Sequence, residues 1–180
     1  MVEKIGTPEE TDPEQAWMVL SLVNEWVRYA DAKIAVTFTF AGVTAGALYN
    51  LVRGQEGPLT LAMAIAAGVC AAAIIACGTC AGVALIPRID GKQPGLPGDP
   101  TNPLFFGNIA RHYEDDRPGY TEVLGALTSD KRAITNFVAE QVHGSALIAA
   151  AKLKWVNAAI RCAMLATVAL ASFVLIVAAS

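Results

Sequence analysis

Charge is scarce in this chain, and it is missing in blocks. Of 180 residues, 16% are charged and 54% are hydrophobic. Three stretches carry no charged residue at all: Ile34–Val52, Leu59–Ile86 and Cys162–Ala179, of 19, 28 and 18 residues. A surface helix of a small soluble domain needs a polar stripe. An uninterrupted apolar run of about 20 residues is what a helix needs to cross the hydrocarbon core of a bilayer. The blocks exclude an ordinary soluble domain and predict three membrane spans.

Other absences narrow the function. The formal net charge is −3, and no Lys/Arg-rich strip exists, which excludes nucleic acid as an expected partner. The four cysteines, Cys70, Cys77, Cys80 and Cys162, all fall in apolar runs, so no disulfide framework can be read. Cys77 and Cys80 have C-x-x-C spacing, but in an Ala/Gly-rich helix they read as small packing residues. The nucleophile-elbow, P-loop and dinucleotide-binding glycine patterns are missing. Of two histidines, His112 precedes Glu114 and Asp116, a sparse metal set for which a solvated turn is the plainer reading. His143 lies near Ser145 without a third partner. No enzyme, cofactor or metal is expected.

The charges that are present set an orientation. Arg28, Lys33, Arg88, Lys92, Lys152, Lys154 and Arg161 flank the spans on one side, and Arg53 alone lies on the other. By the positive-inside rule, the N-terminus and the region after Pro87 are expected to be cytoplasmic. No short apolar segment with a cleavage site precedes Ile34, so the first span is expected to be uncleaved.

Local signals subdivide the polar parts. Asp12-Pro13-Glu14-Gln15 marks a helix start, with Asp12 capping, Pro13 in the first turn and Gln15 completing a capping box. Trp17, Leu20, Val23 and Val27 follow at helical spacing, and the helix is expected to run into the first span. Trp26 and Tyr29 are of the membrane-interface type. Arg53–Pro58 is a short turn that makes the first two spans an antiparallel hairpin. Gly42/Gly46 and Gly78/Gly82 fit G-x-x-x-G, a pattern that lets helix backbones approach closely, within one chain or between chains. Pro87–Asn102 is a Pro/Gly-rich linker. Asn102-Pro103 is expected to open a short helix with Phe105, Phe106, Ile109 and Tyr113 as its apolar side; Glu114–Gly119 should break it, and a second short helix should cover about Thr121–Leu127. No proline occurs after Pro118, and Ile134, Val138, Val142, Ala149, Leu153 and Val156 trace a stripe. One helix of about 50 residues, roughly 75 Å long, is expected from Thr128 onward, a stalk continuing into the third span.

The expected fold is therefore an all-α membrane protein: three transmembrane helices, an N-terminal helix and a small cytoplasmic helical subdomain. Its parts are residues 1–33 (tail and amphipathic helix), 34–86 (hairpin), 87–155 (linker, short helices and stalk) and 156–180 (final span). Within the polar parts, Arg88, Arg111, Arg132 and Lys152 are candidates for an anionic ligand, since forked guanidinium contacts suit phosphate. Phe105 and Phe106 are candidates for stacking on a base. The competing reading is that such cations set topology and such rings pack.

The order of short motifs adds a resemblance. Trp26, Asp31 and Lys33 lead into a span, Pro87-Arg88 closes the hairpin, and Asn102-Pro103-Leu104-Phe105-Phe106-Gly107-Asn108-Ile109-Ala110 follows. Then come Tyr120, Ser129-Asp130-Lys131, Gln141 through Ser145, and Ala151-Lys152. Together, from about Trp17 onward, this resembles the transmembrane effector family of the bacterial pyrimidine cyclase antiphage system (Pycsar). The resemblance implies a multi-pass inner-membrane protein encoded beside a nucleotide cyclase. It implies activation by cyclic UMP or cyclic CMP, and impairment of the bilayer that arrests or kills the infected cell. A homo-oligomer is expected. The alternatives are a channel or transporter subunit, disfavoured by the charge-free spans, or a structural adaptor without a nucleotide ligand.

Overall fold

The computed structural model describes residues 12–86 and 102–179, and these are all-helical, without strands. Helix α1 runs from Pro13 to Arg53, α2 from Leu61 to Leu85, α3 from Phe106 to His112, α4 from Arg117 to Ser129 and α5 from Lys131 to Ala178. Three of them, α1, α2 and α5, are long and apolar enough to cross a membrane. The described residues fall into two compact units, 27–86 with 149–179 and 12–26 with 102–148. Helices α1 and α5 contribute to both.

Local chemistry accounts for the helix ends. The Asp12 carboxylate accepts from the Glu14 N–H at 2.9 Å, and Thr60 caps α2 by accepting from the Met63 N–H. Helix α4 begins at Arg117, four residues earlier than expected, inside the segment read as a breaker. Asp116 is its cap, accepting from the Gly119 N–H at 2.9 Å, and Pro118 sits in the first turn, where its missing N–H costs nothing. A side chain at position 119 would collide with the Asp116 carboxylate, so glycine is what lets this cap close. Helix α3 in turn starts at Phe106 rather than at Asn102, because Asn102 is used otherwise, as described below. The long final helix is continuous for 48 residues, about 72 Å.

In the larger unit the three helices meet along a seam of small residues. Helix α2 buries Met63, Ala66, Cys70, Ala73, Cys77, Ala81 and Ala84, a series of three- and four-residue steps that keeps one face turned inward. From α1 it meets Ala30, Ile34, Ala41 and Leu48, and from α5 Val156, Ala159, Ala163, Ala166, Ala169 and Phe173. Small side chains let helix backbones approach and gain dispersion contacts that lipid does not replace. Buried Thr37 and Thr44 donate to the carbonyls of Lys33 and Phe40, each one turn back, and the Cys70 thiol donates to the Ala166 carbonyl at 3.3 Å. The cysteines are free and pack in this seam, as their setting in the sequence suggested.

Glycine does not make the seam. A Cβ at Gly42, Gly46, Gly78 or Gly82 would meet nothing within 4 Å. Within one chain the close approach is carried by alanine, cysteine and threonine instead, because the glycine pairs fall beside the inward face rather than on it.

Helices α1 and α5 run in parallel in a fixed register. Asp31 pairs with Lys152, 121 positions on. Adding the same interval takes Leu48 to Ala169, which share a cluster, and Val52 to Phe173, whose cluster Val52 packs against. The apolar run of α1 is bracketed by two cation–aromatic pairs, Lys33 over the Tyr29 ring at 4.4 Å and Arg53 over the Tyr49 ring at 5.9 Å. Lys33 and Arg53 lie about 30 Å apart along the helix, the thickness of a hydrocarbon core, and such amphipathic anchors suit its two boundaries.

Candidate functional site

The smaller unit is organised around Asn102, which is buried to 8% exposure. Its side-chain oxygen accepts from the Leu104 N–H at 2.9 Å, an Asx turn that competes with helix formation. Its amide nitrogen donates to the Phe137 carbonyl at 3.2 Å and to Glu140 Oε2 at 3.3 Å, both on α5. Its own carbonyl accepts from Asn108 Nδ2 and from the Phe105 N–H. One buried side chain thus spends both amide donors and an acceptor in tying the start of α3 to the stalk. Beside it the Tyr120 hydroxyl, on α4, donates to the Pro103 carbonyl at 3.3 Å, and the Tyr120 ring packs on Tyr113 at 5.3 Å. Apolar burial is sparse here: Leu20, Leu127 and Val138 are the large hydrophobics it buries among the described residues.

Four of the candidate ligand residues, Phe105, Phe106, Arg111 and Arg132, belong to this unit. Phe105 and Phe106 stack on one another at 4.8 Å and 51°, with Phe106 exposed and Phe105 half-buried. A Cβ at Gly107 would come within 2.7 Å of the Phe105 ring, so glycine gives that ring room to fold back. Arg111 lies exposed in the last turn of α3. Arg132 lies exposed in the first turn of α5, its backbone N–H taken by the Asp130 carboxylate cap. No hydrogen bond or ion pair joins either guanidinium to another group among the described residues. Arg88 lies outside the described residues.

Lys152 stands apart. It belongs to the larger unit, where its ammonium lies 2.6 Å from Asp31 Oδ1, whereas Phe105, Phe106, Arg111 and Arg132 belong to the smaller. His112 likewise turns to the backbone: its Nδ1 lies 3.1 Å from the Asn108 carbonyl, while Asp116 is engaged in capping.

Sequence reading passed over Asn102, Asn108, Tyr120 and Glu140 as a polar set. Asn102-Pro103 was legible as a structural marker, since a residue before proline avoids the helical region. What it pairs with was not, because Phe137 and Glu140 lie 35 and 38 positions away. The Asp31–Lys152 pair was likewise visible only as two separate charges at span ends.

This architecture defines a class: a helical membrane protein with three candidate spans and a small hydrogen-bonded helical unit. The comparisons with known proteins then supply the family. A Pycsar effector protein domain matches residues 15–179. The Pycsar effector protein PtPycTM of Propioniciclava tarda is 34% identical over 169 residues, covering 94% of this chain and 82% of that protein. The chain belongs to the Pycsar transmembrane effector family, and is by that membership an antiphage defence effector. No solved structure matches it.

Proposed function

We propose that this effector senses a cyclic pyrimidine nucleotide, cyclic UMP or cyclic CMP, with its smaller unit and responds by impairing the bacterial inner membrane in which its three long helices lie. The observation that carries the reading is the coexistence, in a chain matched along residues 15–179 by the effector domain, of an apolar three-helix bundle and a unit held mainly by hydrogen bonds. The ligand residues we propose are Arg111 and Arg132 for the phosphate and Phe105 or Phe106 for the base. Arg88 joins them as a candidate from the adjoining linker. Lys152 is more simply a structural cation, given its partner Asp31.

Helix α5 offers a route for the signal. It carries the Asn102 contacts at Phe137 and Glu140 and continues to Ala178, so repacking at its base acts on the same helix that forms the third candidate span. The demand is considerable. Converting a 1:99 population to 99:1 requires about 5.5 kcal/mol of differential binding, and a charge-assisted hydrogen bond contributes about 1.5–3 kcal/mol. Several contacts per site, or several ligands in a homo-oligomer, are needed. The exposed Gly42/Gly46 pair and the half-buried Gly78/Gly82 pair leave space against which another copy can pack.

Calorimetric titration of the detergent-solubilised chain with each nucleotide tests the reading, together with Arg111→Ala and Arg132→Ala in cells. Each substitution should weaken binding and abolish toxicity at unchanged membrane abundance. Unaltered binding in both variants moves the pocket elsewhere, and absence of binding to either nucleotide ends the reading. The proposed orientation, with the smaller unit and N-terminus cytoplasmic, requires reporters fused at Glu56 and after Ser180 to report the periplasm.

A further inference from the structure

The charge-free blocks of the three long helices are not in register with one another. The interval of 121 positions set by Asp31 and Lys152, and followed by the packing of Leu48 with Ala169 and Val52 with Phe173, places Arg161 at the level of Phe40. That is seven residues past the level of Lys33, or about 10 Å along the helix. Arg161, which reads in the sequence as a flanking charge, therefore lies well inside the slab that α1 defines between Lys33 and Arg53. Helix α2 agrees: Cys70 reaches Ala166, and Cys77, Ala81 and Ala84 share a cluster with Val156, Ala159 and Ala163. Eight further uncharged residues of α2, Gly78–Leu85, extend beyond Cys77.

Arg161 is exposed, points away from the Ala159–Ala163–Ala166 seam, and has no hydrogen-bond or ion-pair partner among the described residues. A cation at such depth is costly on a lipid-facing surface, and charges inside spans characteristically face water or a partner. Snorkelling toward the Lys154 level shortens the distance, but it accounts for one side chain and not for the line. At steps of three and four residues along the same edge of α5 stand Lys154, Asn157 and Arg161, all exposed, followed by Leu165, Val168 and Ser172, also exposed. The edge is polar from the Lys154 boundary to Arg161, apolar for two steps, then polar again at Ser172, whose hydroxyl donates to the Val168 carbonyl.

We infer that this edge of α5 lines a water-filled, anion-favouring path enclosed by several copies of this chain, with Arg161 as its selectivity residue and Leu165 and Val168 as its constriction. Rings of arginine favour anions in pores, and apolar constrictions close them by dewetting. Identical copies place identical edges around one axis, so the arginines share water rather than lipid. Their mutual repulsion is relieved by hydration and by the anions they attract. The inference rests on the membrane-impairment reading above and specifies how the impairment occurs: a conducting path rather than general disruption of the bilayer.

The test uses the full chain reconstituted in phosphatidylethanolamine/phosphatidylglycerol bilayers under a potassium chloride gradient, with cyclic UMP or cyclic CMP added on the side of the smaller unit. The reversal potential should lie toward that of chloride. Arg161→Lys should keep it there, Arg161→Gln should move it toward zero while current persists, and Arg161→Glu should carry it toward that of potassium. If Arg161→Glu fails to insert, Arg161→Gln decides alone. Nucleotide-dependent leakage whose selectivity is the same in the wild type, Arg161→Gln and Arg161→Glu overturns the path but leaves membrane impairment standing. Bilayers that stay sealed to ions and to larger dyes with both nucleotides overturn the two together.

Discussion

The two units of this protein are held together by different physics. The larger is a dispersion-packed bundle whose interior sets many alanines and two cysteines around a few large groups such as Ile34, Val156 and Phe173, with the ion pair Asp31–Lys152 at one end of it. The smaller buries few large apolar groups and depends on Asn102, Tyr120 and their carbonyl and carboxylate partners. Lipid offers no hydrophobic drive for helices to associate, so only close fit distinguishes a neighbouring helix from an acyl chain. A unit with few buried apolar contacts and a polar hub belongs to the low end of local stability, and the hub is cooperative, sound when satisfied and costly when broken. The contrast separates a stiff bundle of long apolar helices from a unit whose packing is more readily rearranged.

The largest effect is expected from crowding the seam. Ala159 is fully buried, and Ala159→Leu should cost about 1–3 kcal/mol or somewhat more by overpacking. The loss is measurable as reduced resistance of the bundle to denaturing detergent, with hydrogen exchange in the smaller unit little changed. A mild effect would mean that the seam is looser than its alanines suggest, and would weaken the contrast.

Asn102→Ala should come next, at about 1–3 kcal/mol for the buried partners left unpaired, but confined to the smaller unit. Hydrogen exchange should speed up in α3, α4 and the first turns of α5, while amides between Ala159 and Phe173 keep their protection. Exchange that quickens equally in both regions would show one cooperative body rather than two.

The smallest effect is expected at the ion pair. Lys152 and Asp31 are partly exposed, with side-chain exposures of 19% and 41%, and Lys152→Met should cost only about 0.2–1 kcal/mol. Asp31→Asn with Lys152→Met should cost no more than the single change, because each removes the same contact. A loss well above that range would make the pair a clamp on the bundle rather than a marker of its register.

Legibility followed the range over which each feature is encoded. Asp12, Pro13, Thr60 and the run without proline after Pro118 act over a few residues, so α1, α2 and α5 could be drawn from the sequence nearly as they are. Helix α4 was cut short because its start depends on Asp116 reaching a backbone N–H that only a glycine at position 119 leaves open. That is a local device, but one masked by the Pro-Gly pair that usually signals a break. The candidate site was legible only in part: the exposed arginines and phenylalanines could be named, whereas Asn102 as a hub could not, since its partners lie a helix away.

By itself the sequence determined that this is a helical protein with three candidate membrane spans, because charge-free runs about as long as a hydrocarbon core is thick have one economical environment. The order of its motifs also determined its family. Only the tertiary structure decided which small residues touch, giving the seam to alanine and cysteine and setting the glycine pairs beside it. It alone set the register that carries Arg161 into the slab. The physical reason is common to both: composition fixes what a helix can be immersed in, but rotation and sliding of one helix against another are settled by side-chain contacts between residues as far apart as Asp31 and Lys152.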